Sequence, residues 1–223
     1  MKFTFSPSAT SEDKSLAVEK LITHSTPSSD FYVMVILAIA MATIGLLLDS
    51  ASIIIGSMLI SPMLYVFLSL SLGFSLSDKK LIRRSTISII KATVVGIIIS
   101  ALITLFVRDV TNTSEILART NPSLAYAAAA FIAGFAAAFT LTKPALSETL
   151  PGVAIAVSII PPVAVSGIGL ATLQWSLFRG SIVLFIINMV SVFTGSLVLF
   201  LLLDIHSKKD VAQQTLKEED KKL

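Results

Sequence analysis

Two stretches could expose reactive backbone inside an otherwise apolar chain. One is "IIIGSMLISPMLY" (53–65), with Ser61-Pro62; the other is "AVSIIPPVAVSG" (156–167), with Pro161-Pro162. A proline within a helix removes one backbone hydrogen bond and collides with the preceding turn, at about 3 kcal/mol or more. In hydrocarbon the freed carbonyls and amides must face protein or a wet cavity. The chemistry on offer is coordination of a small solute: half-helix N-termini carry partial positive charge, and half-helix C-termini present carbonyls. Seven residues at or beside these breaks form the candidate binding set: Ser57, Ser61, Pro62, Ser158, Pro161, Pro162 and Asn188. Ser57 precedes Ser61 by four residues, which places both on one face of a regular helix. Ser158 lies three residues before Pro161 and four before Pro162. The structural alternative for the serines is back-bonding to the carbonyl four residues earlier. For Asn188 it is hydrogen bonding between helices.

Enzymatic chemistry has no foothold. The chain has no GxSxG elbow, HExxH, phosphate-binding loop or dinucleotide fingerprint. Cysteine is absent, which removes disulfides and thiolate metal sites. Both histidines, His24 and His206, lie outside the apolar stretches, and those stretches hold no paired acids. No catalytic residue, metal or cofactor is expected. The net charge of +3 comes from Lys and Arg in loops, where it reports orientation and not a nucleic-acid partner.

The elements that must carry the breaks follow from composition. Hydrophobic residues make up 54% and charged residues 14%, against about 25% charged in soluble domains. Uncharged apolar runs of membrane-crossing length are expected as six helices: Phe31–Leu48, Ala51–Phe74, Thr86–Val107, Ser123–Thr142, Leu150–Thr172 and Ser181–Leu203. The fold class is therefore all-α, a polytopic membrane protein of one domain. Each proline break falls about ten residues into its span, roughly 15 Å at 1.5 Å per residue and near the midplane.

Around the spans the segments are 1–30, a loop at 108–122 and a charged tail at 204–223. The N-terminal segment has no apolar core with a cleavage site, so it is not a cleaved signal. "SEDKSLAVEKLI" (11–22) reads as a short amphipathic helix on the membrane surface with Ser11 as N-cap, or else as a frayed tail. "HSTPSSD" (24–30) is a turn-rich linker. The tail lacks apolar periodicity and is expected to be mobile.

Thirteen Lys and Arg fall on one side of a six-span arrangement and three on the other. That bias puts both termini in the cytoplasm. Making the two broken spans re-entrant would reduce it to ten against six. Lys91, five residues into its helix, snorkels to the basic loop. Asp49 and Glu148 stand at the starts of the broken spans, where acids favour the helix dipole.

The two breaks also belong to a repeated order: plain span, broken span, basic link, plain span. Setting Ser61-Pro62 over Pro161-Pro162 aligns Ile60 with Ile160 and Gly56 with Ala156. Arg83 and Ser85 then answer Arg179 and Ser181 after a four-residue gap. Units of three spans, 31–107 and 123–203, would enter the membrane from opposite sides as inverted repeats. Paired interrupted segments in such halves point to a transporter's substrate site. In the fourth span, Ala129, Ala133 and Ala137, with Ala130, Gly134 and Ala138 beside them, permit close helix approach. This stripe serves either the two halves or neighbouring protomers.

"GLLLDSASIIIGSMLISPMLYVFLSLSLG" (45–73) and "LPGVAIAVSIIPPVAVSGIGLA" (150–171) resemble the two signature regions of the hydrophobic family catalogued as domain of unknown function 389. The resemblance runs over 31–203. It departs at "SPMLY" (61–65), where the family carries a Pro-Leu-Met-Gly-Pro-like run. It implies a prokaryotic inner-membrane protein and supplies no substrate. The functional expectation is a small-solute transporter or channel with its site at the breaks. The alternative is a non-transporting scaffold, lipid-binding protein or sensor. The expected partners are membrane lipids, a small solute or ion, and further copies in a homo-oligomer.

Overall fold

The computed structural model describes residues 9–107, 110–143, 146 and 158–222, with helices, turns and no strand among them. In chain order the helices are α1 (Ser11–His24), α2 (Ser29–Leu47), α3 (Ala51–Ile60), α4 (Met63–Ser75), α5 (Lys79–Leu105), α6 (Ser114–Ala118) and α7 (Leu124–Leu141). After them come α8 (Ile160–Ala171), α9 (Trp175–Leu202), a 3-10 turn (Ile205–Lys208) and α10 (Lys209–Asp220). Among the described residues four helices, α2, α5, α7 and α9, are long and apolar enough to cross a membrane. The α3–α4 pair makes a fifth if it is taken as one span bent by 50°. The described residues thus hold four or five of the six crossings expected. Helix α8, with 12 residues, is about 18 Å long and falls short of a hydrocarbon core of about 30 Å. The first eight residues of the expected span Leu150–Thr172 lie outside the described residues, as do Glu148 and Arg108.

Three tight helix hairpins share one closing device. Asp49, Ser77 and Leu173 take left-handed φ values of 53°, 51° and 56°. The next N–H in each case returns to the carbonyl of Gly45, Gly73 or Gly169, at 2.8, 2.9 and 2.8 Å. This is the closure that satisfies orphan carbonyls at a helix end. The glycine is needed because the following helix crosses there. A Cβ on Gly73 would lie 2.9 Å from Ile82 Cγ1 and 3.0 Å from the Ile82 nitrogen.

Helices α4 and α8 form the centre. Ten residues of α4 are buried, and every residue of α8 from Ile160 to Gly169 is buried. A helix apolar all round must be wrapped by others, and here α4 packs on α5 and α9 while α8 packs on α2, α5 and α9. On α5 a buried stripe (Leu81, Ser85, Ser88, Ala92, Gly96, Ser100) backs an exposed one (Ile90, Val94, Ile98, Leu102) that repeats every four residues. Such an outward apolar stripe suits lipid. The small-residue stripe of α7 is spent inside the chain: Ala130, Ala133, Gly134 and Ala137 are buried, and a Cβ on Gly134 would meet the Val192 backbone of α9.

Both terminal segments differ from the expectations. In α1 the N-cap is Thr10, not Ser11. The Asp13 N–H donates to Thr10 Oγ1 at 3.1 Å, and the Thr10 N–H donates to Asp13 Oδ2 at 3.0 Å, a reciprocal capping box. These bonds hold the Asp13 carboxyl below its ordinary range. The tail, expected to be mobile, forms the helix α10, which packs against α1. Ala212 and Leu216, three and seven residues after the start of α10, meet a buried face of Ala17, Val18, Leu21 and Ile22. The pattern is too sparse to read alone because its apolar surface is completed by another helix. Arg84 of α5, largely buried, joins the two by donating to Asp220 Oδ1 at 3.4 Å, to the Ile22 carbonyl at 3.4 Å and to Thr26 Oγ1.

Candidate functional site

The first break is built by Ser61-Pro62. A residue before proline is pushed out of the helical region, and Ser61 is extended at φ −78°, ψ 128°. Pro62 has no N–H to offer the α3 carbonyls. Apart from bonds internal to a helix, no backbone N–H among the described residues reaches the carbonyls of Ser57, Met58, Leu59 or Ile60. The Met63 N–H that opens α4 donates to Ser61 Oγ at 3.3 Å. Ser57 is fully buried and donates to the Ile54 carbonyl at 2.6 Å. Its hydroxyl is therefore used within α3, one residue off the back-bond spacing expected.

At the second break the chain turns at Ser158, whose φ is 46°. Pro161 and Pro162 then stand in the first turn of α8. They open this helix, directly after the non-helical Ser158 and Ile159. In the first turn a missing N–H costs nothing, because no earlier carbonyl of the helix needs it. The residues before Ser158, 150–157, lie outside the described residues. Asn188 of α9, 3% exposed, donates through Nδ2 to the Ser158 carbonyl at 3.1 Å. Its Oδ1 has no hydrogen-bond partner among the described residues. A buried polar atom left unpaired is costly and uncommon.

The two breaks meet. Met58 and Ser61 from the end of α3, Met63 and Leu64 from the start of α4, and Ile159 and Ile160 from the start of α8 line one cavity of about 10 Å³. That is room for about one water. Of the seven expected binding residues, Ser61 lines this cavity. Ser57, Pro62, Ser158 and Pro161 adjoin its lining residues in sequence without lining it, and Pro162 and Asn188 do neither.

Hydroxyls that the sequence did not single out hold the surrounding helices together. Ser100 Oγ of α5 donates to the Ala164 carbonyl of α8 at 2.6 Å. Ser196 Oγ of α9 donates to Ser71 Oγ of α4 at 2.7 Å, and Ser71 Oγ donates to the Phe193 carbonyl at 3.1 Å. Ser166 and Ser181 lie 2.8 Å apart. The signal was available, since Ser100 and Ser196 stand at the same interval as Arg83 and Arg179.

Polar residues outside the breaks have other duties. Asp49 does not serve the start of α3. Its carboxylate accepts from the Glu115 N–H at 2.9 Å and from Ser114 Oγ at 2.9 Å, capping α6. Those bonds, the Glu115 N–H foremost, hold its carboxyl below the usual range. Lys91 is exposed on the outside of α5, as a snorkelling lysine would be. No group of three or more metal-ligating side chains occurs among the described residues.

Long apolar helices around two short buried ones define a helical membrane protein. Residues 58–194 match the family model described as Domain of unknown function (DUF389), and the chain belongs to that family. It is also similar to the uncharacterized protein MJ0678 of Methanocaldococcus jannaschii, with 29% identity over 167 residues. That match covers 74% of this chain and 51% of the relative, so the chain spans about half the relative's length. No solved structure matches the chain.

Proposed function

We propose that the chain is a small-solute transporter or channel whose path runs between the two breaks. The observation that carries this reading is the shared cavity: the end of α3 and the starts of α4 and α8 converge on one point, where Pro62 interrupts the backbone ladder. Broken helices persist in membranes where their backbone lines a protein-enclosed or wet site. A cavity of about 10 Å³ admits no solute larger than water, so this arrangement is the closed one. Opening moves α3 and α4 away from α8 about the bend at Ser61-Pro62.

The proposal includes six crossings as two inverted three-helix repeats, in a prokaryotic inner membrane with both termini cytoplasmic. Reciprocal contacts support the repeat. Ser71 of α4 meets Phe193 and Ser196 of α9. Gly167 of α8 meets Ile97 and Ser100 of α5, where an added Cβ would lie 2.6 Å from the Ile97 carbonyl and 2.5 Å from Ser100 Cβ. One shift of 96 residues converts the first set of numbers into the second. Such exchange is what a pseudo-two-fold axis produces. Assembly as a homo-oligomer, also proposed, would use outer faces such as the exposed stripe of α5, since the α7 stripe is occupied by α9.

The small cavity equally favours a second reading, a packed scaffold or lipid-binding protein with no path. Liposomes containing the full chain separate the two. The transport reading expects flux of at least one ion or metabolite class and its loss in Ser61→Trp. Folded protein that passes none of the classes supports the scaffold.

A further inference from the structure

On the outside of the bundle a crevice of about 270 Å³ runs between α4, α5 and α9. Phe74, Ile82, Thr86, Met189, Val190 and Phe193 line it. The Phe74 and Phe193 rings form one wall edge-to-face, with centroids 5.1 Å apart. Apart from the Thr86 hydroxyl, these side chains are apolar.

Its polar end is basic. Lys79 lies three residues before Ile82 and seven before Thr86, and Arg83 lies three before Thr86, so cations and lining residues share one sector of α5. Lys79 and Arg83 are exposed, and neither forms an ion pair among the described residues. Their neighbours Lys80 and Arg84 are engaged by Asp220. The acid beside them, Asp78, is spent capping α5 through a 2.9 Å bond from the Leu81 N–H. Two uncommitted positive charges thus stand where the crevice meets water.

We propose that this crevice seats an acyl chain of an anionic phospholipid whose phosphate is held by Lys79 and Arg83. Charge complementarity selects this occupant. A zwitterionic lipid carries its own cation to the site and gains less from two more. A second copy of this chain offers no acid from 79–107, 124–142 or 160–203 and would have to meet the cations with acids from outside those segments. The inference holds for the transporter and the scaffold alike.

The absence of cysteine makes the test clean. Val190→Cys in the full chain is labelled with bimane and reconstituted into phosphatidylcholine vesicles. These contain a minor fraction of either brominated phosphatidylglycerol or brominated phosphatidylcholine. The expected result is stronger quenching by the brominated phosphatidylglycerol at equal mole fraction. A label at Ile98→Cys, on the exposed stripe of α5, shows no such preference. Lys79→Gln and Arg83→Gln each reduce the preference by about fivefold, the factor one cation supplies near an anionic surface. The charge-keeping exchange Lys79→Arg with Arg83→Lys retains it, which separates charge from misfolding. Equal quenching by both lipids overturns the proposal. A Val190 label shielded from both lipids also overturns it and identifies a second copy as the occupant.

Discussion

Replacing Gly167 by alanine tests the contact between α5 and α8 most sharply, because two effects of opposite sign compete there. Alanine is the better helix former by about 1 kcal/mol, so an uncrowded site would gain stability. At Gly167 the new Cβ would lie 2.6 Å from the Ile97 carbonyl and 2.5 Å from Ser100 Cβ, atoms fixed by the α5 backbone. Ordinary contact requires almost 1 Å more, and the helices must separate. Overpacking of this kind costs about 1–3 kcal/mol, and immovable partners place it toward the upper end. Subtracting the helix gain leaves a net loss of about 1–2 kcal/mol. Gly56 supplies the contrast, since its added Cβ would meet only the mobile Met41 Cε, at 2.6 Å. Gly56→Ala is therefore expected to be neutral or stabilising. Both variants are followed by equilibrium unfolding in mixed micelles. A neutral Gly167→Ala, or a Gly56→Ala that loses as much, would refute the close α5–α8 approach.

Other expectations concern single interactions. Ser100→Ala deletes the bond to the Ala164 carbonyl and should cost about 0.6 kcal/mol in the same assay, less than Gly167→Ala. Asp220→Asn removes the partner of Lys80 and Arg84. Breaking a buried pair costs about 3–5 kcal/mol, and the exposure of Asp220 reduces this to about 1–2. Limited proteolysis should then cut α10 faster than in the native chain. Asp49 has a folded pKa below its unfolded one, so its contribution is present above the ordinary carboxylate range and is lost as pH falls through the lowered value. Amide exchange at Glu115 should rise in Asp49→Asn at neutral pH, and the difference from the native chain should vanish in strong acid.

Much of the membrane part was legible because hydrocarbon imposes simple rules. Four long apolar runs became α2, α5, α7 and α9, and Ser61-Pro62 bends its span as proline sterics require. What was not legible depended on partners remote in sequence. Leu216 and Ala212 are too few to signal an amphipathic helix until α1 covers them. Asp49 is adjacent to α3 in sequence, yet its carboxylate caps α6, 66 residues away. Pro161-Pro162 could be placed in the sequence, but the left-handed Ser158 just ahead of them carries no residue-type signal that distinguishes it. Ser71, Ser100 and Ser196 were passed over because a serine in a span most often bonds its own helix.

The meeting of the two breaks at a site that water can reach is tested most directly at Ser61→Cys in this cysteine-free chain. In liposomes, a small hydrophilic thiol reagent should modify it, a bulky one should fail, and blocking it should stop any flux. A Ser61 thiol that never reacts, while one at the Ser77 turn reacts fully, would contradict a shared, accessible site.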